Sequence, residues 1–194
     1  MTLAGAATVL QPELAEIKQA LLDARERARR VAEQSGADRW GRRPSADRWS
    51  VAECLIHLNI TSERFIPLLD DGVRELRGQR LAASGRLRRD VMGWLLCWYL
   101  EPPYRIRTRT PAPFVPKAVE PMGEVLERFD YLQGELLVRL DRAAGLALDS
   151  LKITSPFDAR VKYNLFSAFS VIPVHQRRHL YQADTAERGV RSAE

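Results

Sequence analysis

Cysteine is scarce in this chain: Cys54 and Cys97 stand far apart, each inside an apolar helical pattern. That excludes a disulfide-stapled scaffold and fits reduced, buried thiols in a cytoplasmic protein. Long apolar runs are missing as well. The longest, Val91 to Leu100, falls far short of the roughly 20 residues that a membrane-spanning helix needs, so no membrane partner is expected. The N-terminus lacks a basic n-region and meets Pro12 and Glu13 before an h-region can build up, so no secretory signal is expected either. Lysine is rare: Lys18, Lys117, Lys152 and Lys162 are the only four among 30 basic residues, and arginine therefore sets the net charge of +5. Arginine suits phosphate and carboxylate, but here it is scattered among acids along amphipathic stretches. No concentrated basic stripe or known motif points to nucleic acid. Internal repeats and low-complexity tracts are absent, and strand-like alternation is almost absent.

What is present is ample for one core: 45% of the residues are hydrophobic and 28% charged, as in a single folded domain over residues 1–194. Four segments carry a helical period. The first, residues 12–31, aligns Leu14, Ile17, Leu21, Ala24, Ala28 and Val31 behind Pro12. The second starts at Ser50, which with Glu53 forms a Ser-x-x-Glu capping box behind a Trp49 placed to staple the first turn, and runs to Leu69. The third, 122–143, follows Pro121, and the fourth spans 163–187, leaving a frayed polar tail from Arg188. An all-α four-helix bundle is the expected fold. A shorter apolar helix over 87–100 lies between the second and third, followed by a segment over 101–119 holding Pro102, Pro103, Pro111, Pro113 and Pro116. Connections this long are often functional.

All three histidines fall on two of these helices: His57 on the second, His175 and His179 on the fourth. Residues four apart differ by only about 40° around a helix axis, so the latter two project from one face. Each histidine borders the apolar stripe of its helix and points obliquely inward. A buried imidazole needs a partner, and one divalent metal satisfies three at once while keeping a coordination position open, as catalytic sites do. The simpler account makes them core-edge histidines bonded to backbone or carboxylate neighbours.

The stretch Arg48-Trp49-Ser50-Val51-Ala52-Glu53-Cys54-Leu55-Ile56-His57-Leu58 resembles the second-helix signature of DinB-like proteins, and His175-Gln176-Arg177-Arg178-His179-Leu180-Tyr181-Gln182 resembles their fourth-helix signature. The proline-rich connection and the Leu126-Glu127-Arg128-Phe129 helix start are similar too. The resemblance implies an up-down-down-up bundle with a long crossover between helices two and three. It also implies that His57, His175 and His179 bind a divalent metal; the histidine set itself suits zinc or nickel first, with iron and manganese as alternatives. Characterised relatives include S-transferases that use low-molecular-weight thiols such as bacillithiol, mycothiol or glutathione-like compounds, and a mycothiol-dependent maleylpyruvate isomerase.

Three functions follow as expectations. The first is a thiol S-transferase acting on a small-molecule substrate, in which the metal lowers the pKa of a bound thiol. The second is a metal-dependent hydrolase in which water takes the thiol's place. The third is a non-catalytic bundle, homodimeric in one form, that holds a metal or small molecule. Arg105, Arg107 and Arg109 alternate along an extended segment and are candidates to dock an anionic cofactor or substrate, against the simpler account of a solvated loop. Glu53 is better explained as a cap than as a partner orienting His57, and Cys54 better as buried structure than as a fourth ligand. Gln182 is either a hydrogen-bonder beside His179 or a surface residue. Trp94, Trp98, Tyr99, Tyr104 and Phe114 are candidates for a pocket mouth, although core packing explains the first three.

Overall fold

Apolar residues recurring every three to four positions build the long helices of this chain, whose computed structural model describes residues 10–103 and 109–193. The structure is mostly helical, with α1 (Pro12–Arg39), α2 (Val51–Gly78), α3 (Val91–Leu100), α4 (Met122–Arg142) and α5 (Leu165–Arg191). Among the described residues of the proline-rich connection lies a 3₁₀ turn, Ala112–Phe114, and two short strands, β1 (Lys152–Thr154) and β2 (Lys162–Asn164), precede α5.

The expected stripe of α1 is buried, and the helix continues beyond Val31 to Arg39 because Ala32 and Ser35 extend the buried face. At Gly36 (φ 63°, ψ 171°) the backbone is non-helical and the helix kinks before its last turn, a positive-φ conformation that glycine takes without strain. The capping box of α2 is formed: the Glu53 N–H donates to Ser50 Oγ at 3.2 Å and the Ser50 N–H to Glu53 Oε2 at 2.9 Å. Glu53 is also ion-paired with Arg43, so its carboxylate is fully engaged in fixing the helix start. α2 runs on to Gly78 rather than ending at Leu69, since Val73 and Leu76 keep the inward stripe going past Asp70 and Asp71.

α2 packs along both α4 and α5, and α1 along both α5 and α4. Ion pairs mark the order. Glu63 accepts from Arg128 at 2.6 Å and Asp70 from Arg139 at 2.8 Å, so pairing advances in the same direction along α2 and α4. Arg25 to Asp130 at 2.8 Å and Lys18 to Asp141 at 2.9 Å run in opposite senses along α1 and α4. Such surface pairs add little stability; the buried side chains between the helices, Phe65, Leu69, Leu136, Leu140 and Phe169 among them, form the core.

Three departures from the expected elements matter for the site. Residues expected to open the last helix instead form a hairpin, with Lys152 opposite Asn164, Ile153 opposite Tyr163 and Thr154 opposite Lys162. Asn164 then caps α5, its side chain accepting from the Ser167 N–H at 2.8 Å. At the other end α5 is not frayed from Arg188: Val190 is buried and the helix holds to Arg191. The short apolar helix α3 lies flat against α5 at Gly93, where a Cβ would fall 2.0 Å from Ser167 Oγ, so only glycine permits the approach. Trp94 and Trp98 of α3 are 56% and 46% exposed, and core packing is not their role. Among the described residues no helix is long and apolar enough to cross a membrane.

Candidate metal centre

α2 and α5 bring together the three histidines that the sequence singles out. His57, His175 and His179 are all buried, and one nitrogen of each can be chosen so that the three lie within 4.8 Å of one another. The rings stand tilted to each other with centroids 4.4 Å apart for His57 and His179, 4.5 Å for His175 and His179, and 5.1 Å for His57 and His175.

The tautomer of His57 follows from its neighbours. Its Nδ1 lies 2.7 Å from the Phe114 carbonyl oxygen, which can only accept, so Nδ1 carries the proton and Nε2 presents a lone pair. That lone pair faces His175 Nε2 at 3.3 Å. In the metal-free protein this contact is an N–H···N hydrogen bond. The same separation is what two nitrogens have when each sits about 2.0–2.1 Å from one tetrahedral ion. The 3₁₀ turn of the proline-rich connection thus delivers a backbone carbonyl that orients the first of the three rings.

Burial also sets the protonation state. Desolvation pushes His57 down to about 4, against a smaller opposing effect of the Phe114 carbonyl. Desolvation likewise holds His175 and His179 well below the ordinary histidine range, reinforced by the neighbouring histidines and by the positive charge of Arg178. All three rings are neutral at pH 7, the form in which imidazole binds metal. His179 Nδ1 is buried without a hydrogen bond of normal geometry, with Gln182 one turn on as a weak polar neighbour. Three neutral, converging nitrogens and a buried ring atom lacking a good partner fit a divalent ion of the zinc type, and these residues could hold one.

A pH dependence follows. Because each folded-state pKa is depressed below the unfolded value of about 6.5, the unfolded chain binds more protons between the two. The stability that His57 contributes to the metal-free protein is thus full above about pH 6.5 and is lost as pH falls toward 4, by roughly 1.4 kcal/mol per pH unit in that window, and His175 and His179 act in the same direction. Urea unfolding at a series of pH values measures that slope; a flat profile between pH 6.5 and 4 would contradict the buried, neutral triad.

The triad opens into a cavity of about 840 Å³ lined by residues of α2, α3, α5, the proline-rich connection and the hairpin. Of the arginines expected to dock an anion, Arg109 lines this cavity, whereas Arg105 and Arg107 lie outside the described residues, as does Tyr104. Tyr99 and Gln182 line it as well. Cys54 does not join the histidines: it is wholly buried, and burial pushes its thiol up. Phe114 is buried, contributing its carbonyl to the site and its ring to Phe157, 4.3 Å away.

Two aromatic neighbours escape sequence reasoning. Trp49, whose position before the cap marks it only as a staple, lays its ring 5.0 Å from His57 and 5.8 Å from His179. Phe157 stands 5.5 Å from His175 in the turn between the two strands, where no periodicity marks it. The capping position of Trp49 carried the only available signal, and standing eight residues, about two helical turns, before His57, that position does not announce a contact with the ring.

The chain matches the family model of the DinB superfamily over residues 11–183, and the protein belongs to that superfamily. No curated protein and no solved structure matches it.

Proposed function

We propose that this protein is a metal-dependent enzyme, a thiol S-transferase in which His57, His175 and His179 hold one divalent ion, zinc or nickel, at the inner end of the cavity. The observation that carries the reading is the convergence of three buried, neutral imidazoles, with ligand atoms within 4.8 Å, on a cavity large enough for a small thiol and its substrate. When bound, the ion lowers the pKa of a thiol at its open coordination position and so supplies thiolate at neutral pH.

The chain's own residues prepare that position. Phe114 fixes the His57 ring through its carbonyl, and Trp49 and Phe157 flank the triad with apolar surface that keeps bulk water off the nitrogens. Arg105, Arg107 and Arg109 are assigned to the anionic end of the cofactor or substrate, a role supported by the place of Arg109 in the cavity wall. We read the helices as an up-down-down-up bundle, supported by the parallel ordering of the ion pairs between α2 and α4, and place the protein in the cytoplasm with small molecules as its partners.

The test is turnover of an electrophile in the presence of a panel of low-molecular-weight thiols. Thiol-dependent consumption of the electrophile, abolished by His175→Ala, is the expected result. Turnover that needs no thiol would make the protein a hydrolase, and no turnover with any thiol would leave a binding bundle.

A further inference from the structure

α3 is apolar on both sides, yet only one side meets the rest of the protein. With about 100° between successive residues of a helix, Gly93 and Cys97 fall on the face turned toward the body of the bundle, and both are buried. Val91, Trp94 and Leu95 fall on the opposite face, within an arc of about 100°, and are 84%, 56% and 45% exposed. An exposed apolar face of this kind marks a place of contact with something outside the fold.

Basic residues border it. Lys152 stands opposite Asn164 in the hairpin, and the Asn164 side chain donates to the Arg88 carbonyl at 2.9 Å, so Arg88 and Lys152 lie beside the first turn of α3. Lys162 shares the hairpin face of Lys152, because residues two apart on a strand, and partners across it, point the same way. All three cations are exposed. Against them stand Asp149, exposed before β1, and Asp90, whose carboxylate is taken up by the Gly93 and Asn164 N–H groups and the Ser167 hydroxyl. At the far end of α3, Glu101 is paired with Arg177 at 2.7 Å.

Size and charge decide what covers the face. Three side chains, the largest of them worth roughly 150–250 Å² and all three already part-buried, fall short of the roughly 800 Å² per partner of a standard protein interface. A second copy would also arrive with the same net charge of +5. A lipid surface meets neither difficulty. Tryptophan and aliphatic side chains settle at headgroup level, and anionic lipids attract the lysine and arginine around them. Such a contact needs no spanning helix, so it is compatible with the want of one among the described residues.

We propose that α3 docks this protein on anionic lipid bilayers, with Val91, Trp94 and Leu95 entering the headgroup layer and Arg88, Lys152 and Lys162 on the lipid charges. Leu96 and Leu100 of the same helix line the cavity, so the docked protein holds its cavity close to the bilayer. The inference is independent of the metal reading.

Co-sedimentation of the purified full-length chain with vesicles tests it, using phosphatidylcholine alone and phosphatidylcholine with phosphatidylglycerol added. The wild-type protein is expected to bind the anionic vesicles about 10-fold more tightly than the neutral ones, and added salt should shrink the difference. Trp94→Ala should weaken binding to the anionic vesicles about 10-fold. Arg88→Gln and Lys162→Gln should weaken it about 5-fold each, the effect of one cation beside a charged leaflet. These side chains are exposed, so the variants should keep the unfolding temperature of the wild-type protein. Tyr131→Ala, which truncates an exposed ring on α4, should bind as the wild-type protein does. Equal binding to the two kinds of vesicle, binding to neither, wild-type binding by Trp94→Ala, or an equal loss in Tyr131→Ala would overturn the proposal. So would a lipid-free dimer in sedimentation velocity that Trp94→Ala dissociates, because the face would then belong to a second copy.

Discussion

Treatment with a strong chelator is expected to lower the unfolding temperature of the wild-type protein by on the order of 10 °C and to leave that of His57→Ala unchanged. An ion that binds only the folded chain stabilises it by mass action, about 4 kcal/mol when its free concentration is a thousandfold above Kd. Each kcal/mol is worth roughly 2–4 °C in a chain of this size. The unfolded chain has little hold on the ion, because His57 is separated from His175 and His179 by the whole length of α3 and α4 and their connections. His57→Ala removes the ring that faces His175 at 3.3 Å and frees the Phe114 carbonyl, so the variant starts from the lower temperature and has no ion to lose. Differential scanning fluorimetry with and without chelator measures the shift. Identical transitions for the wild-type protein in both buffers would argue against a resident ion.

Phe65→Ala should be the most damaging single truncation near the site, costing about 3–5 kcal/mol of the 5–15 kcal/mol typical of a folded domain. The ring is fully buried on α2 and meets Phe157 edge-on with centroids 6.1 Å apart. Its loss removes the burial energy and leaves a void that the long helices cannot close around. The damage should reach the histidines, since Phe157 in turn packs on Phe114 at 4.3 Å and on His175 at 5.5 Å. Trp94→Ala on the exposed face of α3 should by contrast change stability by no more than about 0.5 kcal/mol. Urea unfolding of the two variants side by side checks the pair; equal costs would mean that the core has been misplaced.

The metal candidates were legible because a helix repeats every 3.6 residues: the four-residue step from His175 to His179 puts two rings on one face, and the capping box at Ser50 sets the phase that turns His57 inward. The rest of the site left no comparable trace. The Phe114 contribution is a backbone carbonyl, which every residue has and no side-chain pattern announces. Phe157 is carried by a hairpin whose strands, at three residues each, are too short for alternation to show, and the same hairpin moved the start of the last helix from Tyr163 to Leu165. Helix ends were missed where polar residues interrupt a stripe that resumes beyond them, as at Asp70 and Asp71 before Val73 and Leu76; the interior of a helix is dictated by its buried face, its end by local capping.

The most direct test of the metal centre is the metal content of the purified protein, by elemental analysis, beside His57→Ala, His175→Ala and His179→Ala. Removing a hydrogen-bonding partner of a ligand already weakens metal binding about 10- to 100-fold, and removing a ligand outright should do more. About one divalent ion per wild-type chain is expected, and next to none in each of the three variants. Equal metal in all four proteins, or none in the wild-type chain after growth and purification with zinc and nickel supplied, would contradict a shared ion held by the three histidines.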